Sequence, residues 1–224
     1  MSALATQTLR GLAQMIVGLG LLIFVPGGLD YRQGWIYLSL FALCCGGISL
    51  YLWAYDPALL ARRMKAGAPS ETEASQKIIH AFITLAVLAA IALAAFGHRF
   101  GWSNVAPAFS YAGYVCELAG FAIVFFTFRQ NSFAAATIEI ADGHKVISTG
   151  LYAWVRHPMY AGVLVIFFGT PAALGSWCGY AAFAFVVAVL VWRLRDEERI
   201  LRAQLPGYED YCAKVKYRLL PGVY

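Results

Sequence analysis

The chain has 224 residues, of which 61% are hydrophobic and 13% charged, with 17 Lys+Arg against 12 Asp+Glu for a formal charge of +5. Soluble domains carry about 25% charged residues, so the composition speaks against a water-soluble globule. The positive charges gather at the ends of apolar stretches rather than over a surface, and no nucleic-acid partner is expected.

The first apolar stretch follows Arg10 and ends at Pro26-Gly27-Gly28 without a small-residue cleavage pattern, which makes it a membrane helix over roughly 9–26 rather than a signal peptide. Further helices are predicted over 35–55, 78–97 and 106–128, each close to the roughly 20 residues needed to cross the hydrocarbon core. The polar stretch 65–77 reads as a solvated, partly helical connection. Residues 157–192 contain no charge, and as one helix they would run ~54 Å, nearly twice the hydrocarbon thickness. Gly169, Pro171, Gly175, Ser176 and Gly179 break them into two antiparallel arms, 158–173 and 178–195. The expected fold is all-α: a polytopic bundle of about six transmembrane helices whose last two form a short hairpin, with a cytoplasmic cofactor pocket.

An even number of helices puts both termini on one side. If that side is the cytoplasm, only Arg32 and Arg99 lie outside, and the positive-inside rule fixes this orientation. The expected location is a bacterial cytoplasmic membrane, with the lipid bilayer as a partner. Residues 1–128 are taken as the acceptor-binding helices and 129–224 as the region carrying the chemistry, within one folded unit. The connection between the fourth and fifth helices is too long for a turn; 136–140 and 145–148 flank the turn dipeptide Asp142-Gly143, which suggests a small hairpin or lid. Cys44, Cys45, Cys116, Cys178 and Cys212 have neither disulfide nor zinc spacing, so no metal is expected.

Chemistry concentrates where polar and aromatic residues meet the fifth helix. Pro158 suits the first helical position, which puts His157 at the N-cap. The free N–H groups of that helix start, with Arg156 beside them, form an anion site suited to a carboxylate. A simpler reading has Arg156 and His157 snorkelling to headgroups within an aromatic belt. The sixth helix ends in Arg193, Arg195, Asp196, Glu197, Glu198, Arg199 and Arg202, and antiparallel geometry brings Glu197 and Glu198 near Arg156 and His157. These charges could simply pair i to i+4, Arg193 with Glu197 and Glu198 with Arg202. A ligand with a carboxylate, an ammonium, a ribose and a cationic sulfur would use all of them, along with the faces of Tyr152, Trp154 and Tyr160. S-adenosylmethionine is such a ligand.

Gly150-Leu151-Tyr152, Arg156-His157-Pro158-Met159-Tyr160 and Gly162, paired with Glu197-Glu198, Leu201, Gly207-Tyr208, Tyr211 and Pro221, resemble the C-terminal signature of the isoprenylcysteine carboxyl methyltransferase family, parts of which phospholipid methyltransferases share. The resemblance covers roughly 129–224. It implies S-adenosylmethionine as cofactor, bound by Tyr152, Arg156, His157, Pro158, Tyr160, Gly162, Glu197 and Glu198, with Arg193 and Glu198 as the catalytic pair and a lipophilic or lipidated acceptor. Arg193 would orient a carboxylate or thiolate acceptor; an amine would need Glu198 as base. Leu151, where the family usually has proline, and Ala153-Trp154, in place of a basic-aromatic pair, depart from the pattern. Three other readings remain open: a membrane reductase of sterol-reductase type using NADPH, a transporter or proton relay around Glu117, the one acidic residue inside a predicted span, and a non-catalytic structural protein. Tyr208, Tyr211, Lys214, Lys216 and Arg218 form either a headgroup-facing tail or a wall that closes the pocket.

Overall fold

The computed structural model describes residues 3–65, 74–103, 105–134 and 145–224. Among these the chain forms eight α-helices and no strand: α1 (Ala3–Gly27), α2 (Arg32–Tyr55), α3 (Pro57–Met64), α4 (Ala74–Arg99), α5 (Pro107–Gln130), α6 (Pro158–Ala173), α7 (Gly179–Gln204) and α8 (Tyr208–Lys214). A 3-10 turn over Gly150–Ala153 precedes α6. Of the hairpin or lid expected over 136–148, residues 136–144 lie outside the described residues, and 145–148 are irregular.

Four helices, α1, α2, α4 and α5, are long and apolar enough to cross a membrane by length and composition. The expected fifth and sixth spans differ in kind. α6 is apolar but has only 16 residues. α7 has 26, running well past position 195, and its last turns carry the charged cluster. The two arms are antiparallel but are not packed mainly on each other: α6 lies along α5, and α7 lies along α4.

The α5–α6 contact owes its closeness to glycine. Gly113 and Gly120 on α5 face Gly169 and Gly162 on α6, seven residues apart in each helix, so the two backbones meet directly. Glu117 sits on this face of α5, fully buried, with neither carboxyl oxygen hydrogen-bonded among the described residues. α7 is fixed to α4 at its charged end, where Ser75 Oγ and Gln76 Nε2 donate to Asp196 Oδ2 at 2.7 and 2.5 Å.

Two apolar clusters fill the bundle. One, at the α1–α2 turn, gathers Ile23, Tyr31, Tyr37, Ile91, Ala94 and Leu174, with Tyr37 and Thr170 hydroxyls 3.2 Å apart. The other joins Leu52, Leu59, Leu60, Phe121, Phe128 and Ile166. Outward, Val17, Leu21, Val25 and Leu43 are more than half exposed, a surface that only lipid would cover at low cost.

α3 leaves α2 abruptly because Asp56 both ends one helix and caps the next: its Oδ1 accepts from Leu59 N at 2.9 Å, with Pro57 at the first helical position. Asp56→Ala is expected to cost about 1 kcal/mol, measurable by unfolding in detergent micelles.

Candidate functional site

The site is assembled at one end of the bundle from the last turn of α5, the 3-10 turn, the start of α6, the end of α7 and α8. Gly150 opens the 3-10 turn with φ +59, and a Cβ there would lie 2.5 Å from Gln130 Oε1. Gly150 therefore combines a left-handed backbone with a Cβ position held by the Gln130 amide, which a side chain there would have to displace. Gln130 Oε1 accepts from Leu151 N at 2.8 Å, and Asn131 Nδ2 donates to the Tyr152 hydroxyl at 2.9 Å. From α8, Tyr211 donates its hydroxyl to the Tyr152 carbonyl at 2.8 Å. Burial pushes the Tyr152 phenol up to about 12, against the Asn131 hydrogen bond and with help from the Glu197 charge.

Pro158 occupies the first position of α6 and His157 its N-cap, without a side-chain cap. The anion held there belongs to the chain itself. Glu198 Oε1 lies 2.7 Å from Arg156 Nε and 3.3 Å from His157 Nε2, while Oε2 accepts from Arg218 Nε at 3.0 Å. The backbone closes the same knot, since Arg156 N donates to Tyr217 O and His157 N to Arg218 O, both at 2.9 Å. Burial opposes the charged form of Glu198, but the His157 and Arg218 hydrogen bonds and the His157 and Arg156 charges prevail and hold its carboxyl at about 2. Arg202 pairs with Glu209 at 2.5 Å, not with Glu198.

Glu197, one residue earlier, turns the other way, into a cavity of about 110 Å³. Its Oε2 accepts from the Tyr160 hydroxyl at 2.5 Å, and Arg193 Nε donates to that same hydroxyl at 3.1 Å. Tyr152, Arg156, His157, Pro158, Tyr160 and Glu197 all line this cavity, together with Asn131, Met159, Leu201, Tyr208 and Tyr211. Tyr208 also lines the cavity and is buried, with its hydroxyl unpartnered among the described residues. α8 therefore forms a wall of the cavity, and its tyrosines replace the expected Trp154, which is 69% exposed and outside the lining. Gly162 is not at the cavity either; it meets the Gly120 carbonyl on α5. Asn131 was missed from the sequence because a lone amide at a helix end has no distinguishing pattern. Among the described residues no group of His, Cys, Asp and Glu is placed to hold a metal ion.

An apolar helix bundle with four helices able to cross a membrane, and a polar, aromatic-lined cavity at the charged end of its last helices, is that of an integral membrane protein. Residues 109–205 match the phospholipid methyltransferase family model. The match begins within α5, twenty residues before the expected 129, so the glycine-packed α5–α6 pair belongs to the shared part. Among curated relatives, Protein-S-isoprenylcysteine O-methyltransferase of Rattus norvegicus is 33% identical over 100 residues, 42% of this chain and 34% of that protein. A probable protein-S-isoprenylcysteine O-methyltransferase of Oryza sativa subsp. japonica is 38% identical over 81 residues, 35% of this chain and 42% of that protein. Delta(14)-sterol reductase TM7SF2 of Mus musculus is 34% identical over 106 residues, 44% of this chain and 25% of that protein. The chain thus spans between 25% and 42% of the length of these three relatives.

Proposed function

We propose that the protein is a methyltransferase that uses S-adenosylmethionine to methylate a lipophilic acceptor. The observation that carries this reading is Glu197, the acidic side chain among the described residues lining a cavity that combines tyrosines and aliphatic groups with Asn131, Lys145, Arg156 and His157. The donor set fits the cofactor: Glu197 would accept from an ammonium or ribose hydroxyls, the unpartnered Tyr208 hydroxyl offers a further polar contact, and Tyr152, Tyr211 and Leu205 offer flat apolar surface to a nucleobase. When bound, the sulfonium supplies an electrophilic methyl group for in-line displacement.

The protein's own contribution is alignment and exclusion of water. The Glu198 knot with Arg156, His157 and Arg218 fixes the start of α6 relative to α7, and so sets Tyr160 against Glu197. Arg193 holds the Tyr160 hydroxyl from the far side and is the group to orient an acceptor. Glu198, held at about 2 among three basic side chains, is a poor proton acceptor. In this reading Glu198 acts as a positioning residue rather than as a base. The bias of positive charge supports an orientation with both ends and the cavity at the cytoplasmic face, and α1–α4 are proposed to form the acceptor side.

The sterol-reductase match supports a second reading, a reductase using NADPH. Glu197 favours the first, because a carboxylate beside a polyanionic dinucleotide would repel it, whereas a sulfonium nucleoside is attracted. Titration calorimetry on the protein in nanodiscs separates the two. Binding of S-adenosylmethionine or S-adenosylhomocysteine without NADPH binding is expected, and the reverse result would install the reductase. Glu197→Gln is expected to weaken the nucleoside about ten-fold or more, the scale of one charge-assisted hydrogen bond, while leaving thermal stability nearly unchanged.

A further inference from the structure

The tyrosines that line the cavity, Tyr152, Tyr160, Tyr208 and Tyr211, do not have equally free hydroxyl hydrogens. The Tyr160 hydrogen is spent on Glu197 Oε2 and the Tyr211 hydrogen on the Tyr152 carbonyl. The Tyr208 hydroxyl has no partner among the described residues and can turn either way. Tyr152 differs from all three, because Asn131 decides which way its hydroxyl works.

Asn131 is the first residue after α5, and Phe133 donates its backbone N–H to Asn131 Oδ1 at 2.9 Å. A backbone N–H can only donate, so the amide atom beside it is the oxygen and the other end is the NH2 group. That group, Nδ2, lies 2.9 Å from the Tyr152 hydroxyl and can itself only donate. The Tyr152 oxygen therefore accepts from Asn131, and its own hydrogen meets no acceptor among the described residues. Burial pushes the Tyr152 pKa up to about 12, so the phenol keeps that hydrogen at neutral pH. Asn131, Phe133 and Tyr152 all line the cavity, which makes the hydrogen available at its wall. Tyr152 also packs against Leu205, Tyr208 and Tyr211, flat apolar surface of the kind a nucleobase stacks on. A fixed donor at the edge of such a surface pairs with a ring nitrogen that carries a lone pair; an N–H in the same place would meet it donor to donor.

Resting on the methyltransferase reading, we infer that Asn131 is a positioning residue that commits Tyr152 as a hydrogen-bond donor to a ring nitrogen of the bound nucleobase, and so selects a base with a free lone pair at that edge.

The test changes one contact at a time. Asn131→Asp keeps an acceptor for Phe133 N but sets a second oxygen against Tyr152, whose hydrogen then turns to the carboxylate and is withdrawn from the cavity. Tyr152→Phe removes the hydroxyl. Calorimetry on the full chain in phosphatidylcholine nanodiscs compares S-adenosylhomocysteine with its 1-deaza, 3-deaza and 7-deaza analogues, each lacking one ring nitrogen. The wild type is expected to bind one of the three about ten-fold more weakly than the parent compound, and both variants to lose that margin. In the Tyr152→Phe background, Asn131→Asp should cost the parent compound nothing further, whereas a plain effect of the added charge would persist there. Equal binding of all four compounds by the wild type, or a margin that survives in either variant, overturns the inference. If Asn131→Asp does not fold, Tyr152→Phe with the deaza series decides it. NADPH carries the same base. Binding of NADPH without S-adenosylhomocysteine, weakened non-additively by the two variants, would sink the methyltransferase reading and leave the Asn131–Tyr152 pair standing; binding of neither compound overturns both.

Discussion

Glu198→Gln is expected to destabilise the protein by about 3–5 kcal/mol, the scale for removing one member of a buried ion pair, and to abolish the proposed methyl transfer. The carboxylate is only 5% exposed and serves Arg156, His157 and Arg218 together, so the amide leaves buried positive charge uncompensated. The sign of the pH effect follows from its depressed pKa. Its contribution is fully present above its ordinary value of 4.5 and is lost as pH falls toward about 2. The loss is on the order of 3 kcal/mol. Unfolding of the wild type in detergent should therefore become easier between those two values. Asp196, also lowered against its burial by bonds to Ser75, Arg199 and Gln76, contributes in the same direction. Subtracting the Glu198→Gln profile isolates the share of Glu198; parallel profiles would show that the knot does not stabilise the fold. Pairing Glu198→Met with Arg156→Met should cost much less than the sum of the single changes, since an apolar replacement removes both charges at once.

The second large effect is expected from a single methyl group on α5. A Cβ at Gly113 would lie 2.3 Å from Ala173 N and 2.7 Å from both Ala173 Cα and the Gly169 carbonyl oxygen. These are backbone atoms and cannot rotate away, so Gly113→Ala must separate α5 from α6. A cost of about 3 kcal/mol is expected, the upper end for overpacking, and more for Gly113→Leu. Since α6 begins just after His157 and α5 ends beside Asn131, the separation should also weaken the proposed nucleoside binding more than 20 Å away along the helix, an estimate from about 1.5 Å of rise per residue between positions 113 and 130. Gly46 on α2 is the control: nothing lies within 4 Å of its Cβ position. Gly46→Ala should be neutral or stabilising by up to about 1 kcal/mol. Equal unfolding midpoints for the two alanine variants would contradict the tight α5–α6 packing.

Much of the architecture is legible in the linear chain because its causes are local. Runs of apolar residues mark the helices, Pro158 after His157 marks a helix start, and the breakers near Gly175 divide a stretch too long to cross the membrane once. Charge placed at segment ends shows where the polar site lies. Helix ends were less legible: α7 continues to Gln204 because Arg195–Arg202 can be helical in water as well as beside lipid, and an apolar count stops where hydrophobicity stops.

Partnership was decided by the tertiary structure. The sequence brought Arg156 and His157 to a helix start as an anion site and brought Glu197 and Glu198 near them. It did not determine that Glu198 itself would be that anion while its neighbour faces the cavity, because successive helical residues point about 100° apart and only the rotation of α7 against α6 selects between them. The same holds for Trp154, turned outward by the 3-10 turn, and for Asn131, whose amide meets the Tyr152 hydroxyl from 21 residues away in the chain. Hydrophobic periodicity is written in neighbouring residues, whereas a binding site depends on the register and rotation at which distant helices lock, here through glycines that let α5 and α6 touch.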